Sequence, residues 1–119
     1  MIDFGDTKNF FKMLDEIISN SKIVIDRKKG THHPKYPSIK YEVDYGYLEG
    51  TLSMDNGGID VWLGSNQDKL LDAVMVTVDI VKKDSEIKLL IGCNEEEKQK
   101  IYAFHNNSEY MKGILIKRS

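Results

Sequence analysis

The chain has 119 residues, a formal net charge of −2, 40% apolar and 30% charged residues. That length and balance fit one soluble domain able to bury its own core. They argue against a global field for DNA or an anionic membrane, so neither nucleic acid nor membrane is an expected partner. Cys93 is the only cysteine, which excludes an intrachain disulfide. The N-terminal residues lack a basic and long apolar leader, no apolar run reaches membrane-spanning length, and the expected location is cytoplasmic.

Residues 7–20 read as an amphipathic helix capped by Asp6, with Phe10, Met13, Leu14, Ile17 and Ile18 on one stripe. Residues 22–25 are short and β-branched. From Lys22 to Lys40 there are six Lys or Arg, two His and one acid, Asp26. A basic stretch in a mildly acidic chain suits a small anion. Residues 39–47 alternate, with Ile39, Tyr41, Val43, Tyr45 and Tyr47 on one side.

Segments 50–55 and 58–63 flank Asn56-Gly57, which predicts a tight hairpin. That register pairs Ser53 with Asp60 and makes Asp55 and Asp60 diagonal neighbours, roughly 7–8 Å apart on one face. Two carboxylates can reach one Mg²⁺ across that gap, because each Mg–O bond is about 2.1 Å. The plain alternative is a turn residue and a solvated acid.

Residues 72–81 alternate, with Val74, Val76, Val78 and Ile80 pointing one way. A loop at 82–85 leads into Glu86–Ile91, with Ile87, Leu89 and Ile91 inward. This register sets Asp79 opposite Lys88, so Asp79, Glu86 and Lys88 share a polar face, whose plain reading is a surface ion pair. A second helix over 95–106 starts at Asn94 with Glu97 completing a capping box. Residues 111–116 form a last strand. The expectation is a mainly β (α+β) domain over 1–119: a small OB-like antiparallel β-barrel with two peripheral helices. His32 and His33 read as exposed, or as phosphate or metal groups. His105 reads as structural, and Trp62 as a pocket or interface residue. Ser53 has no His–acid pair to make it a nucleophile.

Three segments together resemble the family I soluble inorganic pyrophosphatases. Tyr41-Glu42-Val43-Asp44-Tyr45-Gly46-Tyr47 is similar to the family's Y-P-x-N-Y-G-Y. Gly50 to Val61 is similar to its T-L-x-x-D-G-D-P-x-D-V, and Asp84 to Ile91 to its acidic segment before a strand lysine. The opening Ile23 to Pro34 looks like the start of short members. The resemblance covers roughly 22–116 and leaves the first helix outside. It implies metal-dependent hydrolysis of pyrophosphate or a related small phosphoanhydride, with Mg²⁺ as cofactor. It implies Asp55, Asp60 and Glu86 as metal ligands, and Tyr45 and Lys88 as substrate-binding residues. Arg27, Lys29 and Lys35 are candidates for the remaining charge on a small phosphate-containing anion.

The departures are specific. Gly57 stands where the family has its middle Asp, and Asp44 where it has Asn. Asp44 and Asp84 are the candidates for the missing catalytic base. The alternative implied is a non-catalytic pyrophosphatase-like protein binding an anion or a protein partner. The family often forms symmetric oligomers, so a homo-oligomer is possible. An OB-like barrel for single-stranded nucleic acid is a third reading, disfavoured by the net charge and the acids on the candidate face.

Overall fold

A computed structural model describes residues 5–53 and 57–118. Asp6 opens the first helix, α1 (Thr7–Ser19), its carboxylate accepting the Asn9 N–H at 3.2 Å. The face of α1 that packs is Phe11, Leu14 and Ile18, while Phe10, Met13 and Ile17 are exposed. The buried stripe is therefore rotated about one position from the expected one. Arg118 accompanies the core packing of that face. It grips Asp15 through two bonds of 2.9 and 2.7 Å and lies 5.3 Å over the Phe11 ring.

The strands are β1 (Lys22–Arg27), β2 (Asp44–Glu49), β3 (Ile59–Leu63), β4 (Leu71–Asp79), β5 (Asp84–Ile91) and, after helix α2 (Glu95–Phe104), β6 (Met111–Lys117). They form one six-stranded sheet in the order β1-β2-β3-β5-β4-β6. All neighbours are antiparallel except β3 and β5. The mainly β fold with two helices is as expected. The sheet is not closed, so "barrel" describes it only loosely. Burial explains the order. Lys88 to Ile91 is buried at four successive positions, the pattern of a central strand covered on both faces.

One face carries Leu48, Val61, Val74, Leu89 and Ile91 under α1. The other carries Tyr41, Val43, Trp62, Ala73, Met75 and Leu90 against Ile101 of α2. The capping box is present: Asn94 accepts the Glu97 N–H at 2.8 Å and Glu97 accepts the Asn94 N–H at 2.9 Å. Gly46 allows β1 and β2 to close, since a Cβ there would sit 1.8 Å from the Val24 carbonyl oxygen. On the free side of β6, the Asn106 amide bonds both the N–H and the C=O of Gly113, each at 3.1 Å.

Three strand expectations are corrected. Residues 51–53 are not a strand, and β3 pairs with β2, so Asp60 faces Tyr47 rather than Ser53. The cause is local: β2 ends at Glu49, and the Thr51 hydroxyl accepts the Ile59 N–H at 2.9 Å, closing a long loop at its base. The β4–β5 turn spans 80–83, with Asp79 opposite Asp84 and Met75 opposite Lys88. Asp79 accepts the N–H groups of Val81 and Lys82, both at 2.9 Å, which ends the strand before Ile80; Ile80 and, still within β4, Val78 are exposed. Tyr41 and Val43 are buried but precede β2 rather than belonging to it.

Candidate functional site

Side chains of paired residues stand on the same face of a sheet. On the α2 face, Tyr47, Asp60, Lys88 and Met75 form one row across β2, β3, β5 and β4. Arg27, Tyr45, Trp62 and Leu90 form the next row, beginning on β1. The parallel β3–β5 pairing sets Asp60 beside Lys88, and Glu86 follows two residues away on the same side.

The Lys88 ammonium lies 2.7 Å from Asp60 Oδ2, 3.0 Å from the Tyr45 hydroxyl and 4.0 Å from Glu86 Oε1. Lys88 is only 5% exposed, so its charge is compensated locally rather than by bulk water. Burial raises the Tyr45 pKa far above the ordinary phenolic value. The Asp60 charge, the hydrogen bond to Asp60 and the Glu86 charge push the same way. Tyr45 is therefore a neutral donor to Asp60 and an acceptor from Lys88, and the three groups close a ring of hydrogen bonds.

The floor beneath this ring is aromatic. Tyr45 packs on Trp62 with centroids 4.5 Å apart, and Tyr41 and Phe104 complete the cluster. Trp62 Nε1 donates to His105 Nε2 at 3.1 Å, which leaves the imidazole proton on Nδ1, facing Met111 Sδ at 3.5 Å. Burial, then the positive charge of Lys88, brings the His105 pKa down to about 3. His105 is thus structural, as expected, and neutral.

The remaining candidates are distributed differently. Asp84 stands on the Glu86 and Lys88 side of β5, at its first residue. Asp44 does not join them: strand alternation puts it on the α1 side, opposite Leu63, and its carboxylate accepts the Lys29 N–H at 2.7 Å. Arg27 lies opposite Tyr45 at the margin of the site. Lys29 gives its backbone N–H to Asp44, while its ammonium lends charge to Glu97. Lys35 is exposed, its ammonium 5.7 Å over the Tyr36 ring. His32 bonds the Pro37 carbonyl at 2.7 Å, and His33 accepts the Lys35 and Tyr36 N–H groups. Asp55 lies outside the described residues. Among the described residues no group of three or more His, Cys, Asp or Glu converges as a metal cage.

The expected Asp79–Lys88 pair is replaced by Asp60–Lys88. The signal for it was the unbroken apolar run Leu89-Leu90-Ile91, which marks a central strand and carries Lys88 into it. The Trp62–His105 bond spans 43 residues and has no local signature.

No protein-family model matches the chain, and no curated protein matches it. Among solved structures, an inorganic pyrophosphatase from Coxiella burnetii has a TM-score of 0.55 at 13% identity, over 80% of this chain and 84% of that one. The fold is pyrophosphatase-like.

Proposed function

We propose that this protein binds a small phosphoanhydride of the pyrophosphate type together with Mg²⁺, and hydrolyses it at the Asp60–Glu86–Lys88–Tyr45 cluster. The observation that carries the reading is the convergence of two carboxylates, one ammonium and one protonated phenol on a single patch of sheet. Asp60 and Glu86 are hard oxygen donors already gathered around one cationic centre, with side chains 19% and 11% exposed. Such a donor set fits Mg²⁺, which takes a few carboxylates and keeps several waters. Asp55, Asp60 and Glu86 would be its protein ligands. When bound, Mg²⁺ would supply a more acidic water and offset charge on phosphoryl oxygens.

The chain's own groups supply the rest. Lys88 offsets charge on a substrate oxygen, and the Tyr45 hydroxyl, held protonated, turns its one proton from Asp60 to another once Asp60 serves the metal. Arg27 flanks Tyr45 and extends the cationic margin. Asp84, two residues from Glu86 on the same strand face, is the base that takes a proton from the attacking water. Asp44 does not serve, because its carboxylate accepts the Lys29 backbone N–H on the other face. A second reading, binding without turnover, is favoured by one observation: Gly57 replaces the middle acid of the related motif.

Phosphate release from pyrophosphate with Mg²⁺, compared among wild type, Asp60→Ala and Glu86→Gln, tests the proposal. The expected outcome is Mg²⁺-dependent release lost in both variants. Tight anion binding without release supports the second reading. Equal release in all three proteins removes the cluster from the chemistry.

A further inference from the structure

Lys88 has a role that follows from where its ammonium rests. It lies 2.7 Å from Asp60 and 4.0 Å from Glu86, between the two carboxylates assigned to the metal. The side chain is 7% exposed, and its bond to the Tyr45 hydroxyl fixes its direction. The floor of Trp62 and Tyr45 blocks retreat into the protein. A divalent cation bridging Asp60 and Glu86 would therefore meet a fixed positive charge at short range in a poorly screened setting.

We propose that Lys88 is a tethered counter-cation that keeps divalent metal off Asp60 and Glu86 until a phosphate anion engages the ammonium. Without the anion, Lys88 and the metal compete for the same carboxylates. With it, the added negative charge lies between the two cations, and all three groups coexist. Metal and anion then bind with positive coupling, and by linkage each raises the affinity of the other equally. The inference rests on the assignment of Asp60 and Glu86 as metal ligands made above, and adds an order of assembly: the site fills with metal and anion together.

Mn²⁺ binding, followed by electron paramagnetic resonance with and without inorganic phosphate, tests this in wild type, Lys88→Met and Lys88→Arg. Without phosphate, Lys88→Met is expected to bind Mn²⁺ at least about tenfold more tightly than wild type, a coupling of ordinary size between adjacent sites. Phosphate should tighten Mn²⁺ binding to wild type by a similar factor and leave Lys88→Met nearly unchanged. Lys88→Arg, which keeps the charge, should follow wild type. The inference is overturned if Lys88→Met and wild type bind Mn²⁺ alike, or if phosphate acts equally on both. Wild type alone decides the matter should the Met variant not fold: phosphate-independent Mn²⁺ affinity overturns the coupling. Absence of Mn²⁺ binding in every protein and condition removes the metal assignment as well. Equal binding alongside Mg²⁺-dependent phosphate release removes only the inference.

Discussion

Replacing Asp60 by Asn leaves the shape of the site intact and removes one charge next to a buried ammonium. Removing one partner of a fully buried pair costs about 3–5 kcal/mol, and exposed pairs contribute about 0–1 kcal/mol. The Asp60 side chain is 19% exposed and that of Lys88 is 7% exposed, so the pair falls between these limits. Asn keeps one acceptor oxygen for Lys88, and Glu86 remains 4.0 Å away to share the charge. A loss of about 2 kcal/mol follows, which for a domain of this size lowers Tm by about 8 °C. Thermal and urea unfolding read through Trp62, the only tryptophan, measure it without added label. The double variant with Lys88→Met should recover about 1–2 kcal/mol of the summed losses, because the stranded charge is gone. A Tm for Asp60→Asn within about 2 °C of wild type, or strictly additive losses, would show that Asp60 does not hold Lys88.

Three further outcomes follow from the same surroundings. The folded-state pKa of His105, about 3, lies below its ordinary value of 6.5, so the unfolded chain binds the extra proton between those limits. Its contribution to stability is complete above pH 6.5 and falls as pH drops towards 3; from pH 7 to 5, wild type should lose about 2 kcal/mol more than His105→Gln in urea titrations. Tyr45 runs the opposite way: its raised pKa gives stability that is present below pH 10.0 and lost as pH rises, so Tyr45→Phe should flatten the alkaline loss seen by circular dichroism. Gly46→Ala places a methyl group 1.8 Å from the Val24 carbonyl oxygen and must part β1 from β2, costing about 3 kcal/mol or more by urea unfolding.

Signals complete within one element read correctly, and those that depend on distant pairing did not. The second helix was legible because Asn94 and Glu97 satisfy each other within one turn. The last strand, Met111–Lys117, was legible from its apolar pattern. The Asn56-Gly57 signal misled because it is judged from two residues, whereas the chain leaves β2 at Gly50, with φ of +84°, and Thr51 anchors the loop. The error carried Asp60 to the wrong neighbour. Its true partner, Lys88, is 28 residues away on a strand that follows β4 in the chain. The helix α1 stripe failed for a related reason: Phe10 and Phe11 are equally apolar, and the choice of Phe11 comes from distant partners, the sheet core and Arg118. The acidic and basic residue types of the site were visible, but their convergence belongs to the sheet order.

The amide of Asn106 occupies Gly113 on the outer side of β6 much as another strand would. Open sheet margins invite templated growth by foreign or identical chains. Here an intruding strand finds its central docking point already saturated by a side chain from the same molecule. Polymerisation along that border is thereby discouraged at Gly113 by one amide, alongside Lys112 and Lys117 of the same strand.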